Sequence, residues 1–201
     1  MKKIAVLVAF LMIISMSVSA QGFYFDIGLG IGGAWTKING IDFSDTLKSL
    51  GVNVKELGVD LGLKAGYGPI ANIPLYIVGS FGGIGHRINE GSEYIQFNSY
   101  LIGPGLIYYP IPLIQLAGSV GFSFISNQTN IPGMILLGND KPGFAGDISV
   151  ALDFGRGNHG FLLGLRYFGA TNTFEVSGVK QNSSALTVFG RYAFRNKLTT
   201  Q

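Results

Sequence analysis

Apart from Arg87, next to the last residue of segment 74–88, seven charged residues sit inside the apolar, glycine-rich segments of this chain: Asp26, Asp60, Lys64, Asp147, Asp153, Arg166 and Arg191. Carboxylates and cations in such places can do two kinds of chemistry. They can neutralise one another as ion pairs where water does not reach, or they can line a polar constriction that sorts solutes by charge. Each lies in the phase opposite to the apolar side chains. In segment 57–67, Leu57, Val59, Leu61, Leu63, Ala65 and Tyr67 share one face, and Gly58, Asp60, Gly62, Lys64 and Gly66 share the other. Alternation with a period of two is a strand signal, because successive strand side chains point to opposite faces.

Strands that are wholly apolar on one face and small, polar or charged on the other fit a barrel with lipid outside and a packed or wet lumen inside. The pattern predicts eight strands, at 22–36, 57–68, 74–88, 94–109, 113–125, 143–155, 160–170 and 184–194. Tilted spans need about 9–11 residues to cross the hydrocarbon, which these lengths satisfy. Strand 74–88 is the least regular, with neither face cleanly apolar. Connections 37–56, 126–142 and 171–183 are long and polar, whereas 69–73, 110–112 and 156–159 are short and carry Pro, Gly or Asn. The 89–93 connection is short on the long side. Long extracellular loops and short periplasmic turns are the asymmetry of outer-membrane barrels, and an even strand count puts both termini in the periplasm. The fold class is therefore all-β, an eight-stranded antiparallel transmembrane barrel with an up-and-down meander.

Other architectures explain less. Tyr94 to Asn139 holds no charged residue, which invites transmembrane helices, but Pro104, Pro110, Pro112 and Pro132 would break them. A soluble sandwich seldom makes nearly every strand this apolar while keeping lysine and aspartate on the opposite face. Aromatic residues gather near strand ends, with Phe23, Tyr67, Tyr108, Phe154, Phe161, Tyr192 and Phe194 at one level and Trp35, Phe124, Phe144 and Tyr167 at the other, as interfacial girdles require.

Residues 1–20 read as a secretory signal peptide. Lys2 and Lys3 precede an apolar core from Ile4 to Ile14, and Val18-Ser19-Ala20 is a small-residue cleavage site. Residues 21–201 then form one barrel domain. Without Lys2 and Lys3, the 14 basic residues fall to 12 against 11 acidic ones, so the basic character gives no argument for nucleic acid. The 31 glycines exceed ordinary usage, and small residues on an inward face let a narrow barrel close without overfilling. With no cysteine, a disulfide scaffold is excluded.

Strands one and eight close a barrel, so Asp26 is expected to bridge Lys64 and Arg191 across neighbouring strands, and Arg166 to face Asp147 and Asp153. An eight-stranded barrel holds side chains or one small ligand rather than an open pore, which favours an ion-paired plug over a filter. Catalytic, metal and cofactor motifs are absent from the pattern. His86, expected near the outer rim beside Ser92 and Glu93, reads as a rim histidine touching water or headgroups; His159 has no telling neighbour. Gly28-x-Gly30-x-x-Gly33 matches a dinucleotide fingerprint in form only, since no helix pattern follows it. Loop 37–56 spaces Ile41, Phe43, Leu47, Leu50 and Val52 like a short amphipathic helix, and loop 126–142 carries an apolar patch of Ile131, Met134, Leu136 and Leu137. Such patches mark a lipid, ligand or partner contact, or fold down to cap the barrel mouth.

The last strand, Leu186-x-Val188-x-Gly190-x-Tyr192-x-Phe194, resembles the terminal assembly signal of bacterial outer-membrane barrels, with Gly190, Tyr192 and Phe194 at its motif positions. Together with the leader and eight spans, the mature chain is similar to small barrels of the OmpX/OmpW/OmpA-domain type. Arg195 to Gln201 follow Phe194, where that signal usually ends. The resemblance implies a Gram-negative outer membrane, its lipid and its assembly machinery as partners, and a surface-exposed role through extracellular loops. A porin-like alternative is a narrow channel or binding barrel for small hydrophobic solutes, as in OmpW-like proteins.

Overall fold

The computed structural model describes residues 22–70, 73–133, 140–155, 157–174 and 178–195. Its elements are β1 (Phe23–Ile38), β2 (Ile41–Asp42), α1 (Phe43–Ser49), β3 (Lys55–Tyr67), β4 (Leu75–Glu90), β5 (Glu93–Ile111), β6 (Ile114–Thr129), β7 (Asp140–Asp153), β8 (His159–Phe174) and β9 (Lys180–Arg195). The two-residue β2 extends β1 in the first loop. The eight long strands pair antiparallel in sequence order, and β1 pairs with β9 to close the ring. Closure leaves the meander no free edge along this seam, as a membrane-spanning sheet requires.

Alternation decides which side chain faces where. On β1, Tyr24, Asp26, Ala34 and Thr36 are buried, while Ile27, Leu29, Ile31 and Trp35 point outward and are exposed. The outward set continues through Leu61, Phe122, Ile148, Leu165 and Val188, with Ile148 66% exposed. A continuous apolar exterior around a closed sheet is stable in lipid and costly in water. No helix among the described residues is long and apolar enough to cross a membrane, which says nothing of crossing by strands.

Every expected strand is present, but several run further toward the loop end. The last two, expected at 160–170 and 184–194, extend to Phe174 and begin at Lys180. Their extra turns of ladder carry inward Asn172, Gln181 and Ser183, so the apolar signal fades while the backbone pairing persists. Connection 89–93 is a tight hairpin in which Glu90 faces Glu93 and Gly91 adopts a φ of 60°. Strand β4 reads ambiguously because its inward residues are themselves apolar at both ends: Tyr76 and Val78 below, Ile84 and Ile88 above.

The lumen is layered. Tyr24, Tyr76, Val78, Ile107 and Tyr109 pack at the end nearest the described termini. Ile84, Leu101 and Phe168 pack further along with Ala34, Ala145, Ala170 and Ala185. Ile88, Ile95 and Phe97 lie beneath the loops. Most of the charged residues lie beyond the first layer, whereas Asp153 lies level with it, paired to Arg195 beside Tyr24 and Tyr109.

Candidate functional site

Period-two alternation carries all seven expected charged residues into the lumen, where none is more than 4% exposed. Six form an alternating ladder, from Asp26 through Arg191, Asp60, Arg166 and Asp147 to Lys64. Arg191 lies 3.7 Å from Asp26 and 3.7 Å from Asp60. Arg166 is held hardest: its Nε donates to Asp147 at 2.7 Å, and its Nη1 donates to Asp60 and, at 3.2 Å, to the Leu61 carbonyl. Thr187 donates to the other Asp60 oxygen at 3.2 Å. Lys64 approaches Asp147 at 3.5 Å and donates to Ser119 at 3.0 Å.

Two expected pairings are corrected. Asp26 and Lys64 are register partners, yet the Lys64 ammonium reaches across the lumen to Asp147. Arg166 does not meet Asp153. It sits opposite Ser149, and its guanidinium spans to Asp60 on β3. Asp153 pairs instead with Arg195, a buried residue that sequence reasoning left in the tail. The signal was present: positions 191, 193 and 195 share one phase. With Arg195 the network holds four cations and four carboxylates, so it is formally neutral.

Aromatic and amide groups support it. Tyr24 donates to Asp26 at 2.8 Å, and Gln115 donates to the Tyr24 and Tyr109 hydroxyls at 2.7 and 2.8 Å. The Arg195 guanidinium lies 4.5 Å from the Tyr109 ring centroid and that of Arg191 4.2 Å from Phe189. Glycines provide the room. A Cβ on Gly62 would lie 2.5 Å from Arg191 Nη2, and one on Gly82 would lie 2.8 Å from Arg166 Nη2.

The mouth is built by α1, whose N-terminus is capped by Asp42 accepting from the Ser44 and Asp45 amides at 3.1 and 3.3 Å. Phe43 meets Phe97 edge-on with centroids 5.0 Å apart, and Leu47, Val54 and Ile131 join them over Ile88 and Ile95. The loop residues Phe43, Leu47 and Ile131 thus cover the lumen, while Ile41 and Leu50 remain exposed. Met134, Leu136 and Leu137 lie outside the described residues.

Glu56 ties this cap to the wall. It accepts from Lys48 at 2.7 Å and from Ser44 at 3.0 Å, and faces His86 Nε2 at 3.2 Å. His86 is fully buried with Thr36 on its other nitrogen at 3.0 Å, so it is a lumen residue and not the expected rim histidine; position 86 is in the inward phase of β4. Burial pushes the Glu56 carboxyl up, but donation from Lys48, Ser44 and His86 outweighs it and holds the group below its usual range. A depressed carboxylate stabilises the folded form above its ordinary value, and that contribution is lost as pH falls through the lower folded value. Amide exchange within α1, corrected for intrinsic pH effects, is therefore expected to accelerate from about pH 4.5 downward, and Glu56→Gln should abolish that acceleration. Equal acceleration in Glu56→Gln would remove Glu56 as the latch.

Gly190, Tyr192 and Phe194 lie on β9. Gly190 and Tyr192 pair with Leu29 and Ile27 of β1, Tyr192 meets His159 Nδ1 through its hydroxyl at 2.6 Å, and Phe194 packs toward Phe23 with centroids 6.2 Å apart.

A closed eight-strand meander with an apolar exterior and a charged, buried interior defines the class: the fold is an antiparallel β-barrel of the outer-membrane type. Ail, the attachment invasion locus protein of Yersinia pestis solved with the heparin analogue sucrose octasulfate, superposes with a TM-score of 0.54 at 16% identity, over 87% of this chain and 100% of that one. Neisserial surface protein A gives 0.48 at 16% identity, over 84% and 95% of the two chains. OprG from Pseudomonas aeruginosa gives 0.41 at 12% identity, over 86% and 96%. No family model and no curated protein sequence matches the chain.

Proposed function

We propose that the protein is an outer-membrane barrel whose lumen is sealed by the charge network, and that it acts as a structural or surface-interaction element through its loop end. One observation carries this reading: the eight network residues are each at most 4% exposed, so a water-sized sphere barely touches them. Lone charges in so dry a place would be costly, and pairing offsets that cost without leaving a conducting path. The reading assigns no catalytic step to His86 or His159. It takes Gln21 as the mature N-terminus and the β9 segment around Gly190, Tyr192 and Phe194 as the part offered to the assembly machinery, supported by β9 being the strand that closes the ring.

A second reading, a binding barrel for small apolar solutes, is favoured by a cavity of about 110 Å³ at the mouth, lined by Leu47, Val52, Val54, Ile88, Ile95 and Ile131 together with Asn89, Glu90, Glu93 and Tyr94. Planar-bilayer conductance of the folded mature barrel tests both. A silent bilayer is expected, with folding shown by a heat-dependent gel shift. Discrete openings blocked by small apolar solutes would overturn the sealed barrel and establish the second reading.

A further inference from the structure

The cavity at the mouth has more than apolar walls. Its base is the register pair Ile88 and Ile95, the last aliphatic pair of β4 and β5 before their turn. Leu47 of α1, with Val52 and Val54 from the segment leading into β3, forms one side, and Ile131 forms another. Both sides are fixed by hydrogen bonds. The α1 side is held by its Asp42 cap and by Glu56. On the other side, Asn130 accepts from the Tyr94 amide at 2.6 Å and donates to the Ser92 carbonyl at 2.9 Å. The Ile131 amide donates to the Thr129 hydroxyl at 3.1 Å, and that hydroxyl donates to the Tyr94 carbonyl at 2.8 Å. The cavity is therefore preformed.

One step above Ile88 and Ile95, the same inward phase brings Glu90 and Glu93 directly opposite each other, and both line the cavity. Like charges directly opposite one another on paired strands are destabilising. Among the described residues, no lysine or arginine forms an ion pair with either glutamate. Arg87, on the strand that carries Glu90, is turned to the other face: its Nε donates to Asn89 at 2.8 Å, and its guanidinium lies 4.0 Å from the Tyr94 ring centroid. Glu90 and Glu93 are themselves exposed, so two uncompensated carboxylates stand where an apolar cavity meets water.

That combination selects a ligand with an apolar body and one cationic end. The volume sets the size of the body. About 110 Å³ is about four times the roughly 30 Å³ share of one liquid water, which gives room for a chain of about four or five carbons and not for a fused ring system.

We infer that the mouth cavity binds a short primary alkylammonium, its chain among Ile88, Ile95 and Ile131 and its ammonium between Glu90 and Glu93. A primary ammonium carries three donors, enough to serve both carboxylates at once. An alcohol of the same length leaves the repulsion between them in place. The inference rests on the second reading, binding of small apolar solutes at the mouth, and gives that solute its charge. It is compatible with a sealed lumen, because Asp60, opposite Ile84 on β4, already lies deeper than Ile88.

The test uses the folded mature barrel in phosphatidylcholine nanodiscs with labelled isoleucine δ1 methyls, titrated with pentylammonium and, separately, with 1-pentanol. Pentylammonium is expected to shift the Ile88, Ile95 and Ile131 signals saturably, while the outward Ile148 methyl reports partition into the bilayer. Each methylene removed from the ammonium series should weaken binding about four-fold. Glu90→Gln/Glu93→Gln should weaken pentylammonium about five-fold and should not weaken 1-pentanol. Equal affinity of the two ligands for the unsubstituted protein, or of pentylammonium for both proteins, overturns the inference and leaves the apolar-solute reading standing. If neither ligand shifts those three methyls saturably, both the inference and the apolar-solute reading are overturned.

Discussion

Arg166→Ala is expected to lower the unfolding free energy by about 3–5 kcal/mol, the range found when one member of a buried ion pair is removed. The effect is large because Arg166 is the centre of the ladder rather than an end. Its Nε and Nη1 hold Asp147 and Asp60, and its Nη1 also serves the Leu61 carbonyl. Truncation leaves two carboxylates that water reaches poorly. Their remaining cations, Lys64 and Arg191, stand 3.5 and 3.7 Å away, beyond good hydrogen-bond contact. Arg166→Lys keeps the charge but loses the fork that reaches two carboxylates at once, so it should fall between the two proteins. Urea unfolding of the barrel in phosphatidylcholine vesicles, followed by the heat-dependent gel shift, measures all three. A loss under about 1 kcal/mol for Arg166→Ala would mean that the carboxylates are hydrated, and would count against a sealed lumen.

Much of this network was legible in the sequence, because a strand's period of two is strict. Once Leu57, Val59 and Leu61 are placed in lipid, Asp60 and Lys64 must point inward. Phase, however, says nothing of reach. Arginine and lysine are long enough to cross a narrow lumen, so nearest-strand reasoning pairs Lys64 with Asp26 and Arg166 with Asp147 and Asp153, whereas Lys64 reaches Asp147, and Arg166 keeps Asp147 but takes Asp60 in place of Asp153. Arg195 escapes the pattern for a different reason: the aromatic Phe194 resembles a strand end, although the β9 ladder continues one position beyond it to pair Arg195 with Tyr24. The buried position of His86 follows from phase alone, but its partner Glu56 lies in a segment that reads as loop. The short helix was visible as loose apolar spacing; its docking by Phe43 on Phe97 depends on the curvature of the whole ring, which no local pattern encodes.

Gly28→Val is the second substitution with a large expected effect, about 1–3 kcal/mol from overpacking alone. Gly28, Gly30 and Gly32 occupy successive inward positions of β1 along its seam with β9. A Cβ on Gly28 would overlap the Gly190 carbonyl oxygen and crowd Arg191 Cα, and one on Gly30 would lie 2.8 Å from the Val188 carbonyl oxygen. These are backbone atoms, so relief requires β1 and β9 to separate rather than a side chain to turn. Because Arg191 is carried by the same stretch of β9, separation also disturbs its contacts with Asp26 and Asp60. Gly79→Val provides the matched control, since a Cβ there points outward and meets nothing nearer than the Ala65 carbonyl oxygen at 3.8 Å. Valine suits a strand and lipid better than glycine, so that variant should be neutral or stabilising. If the two substitutions cost the same, glycine at these positions serves strand flexibility in general. If only Gly28→Val is costly, the inward glycines are what let a lumen filled with arginine close at its seam.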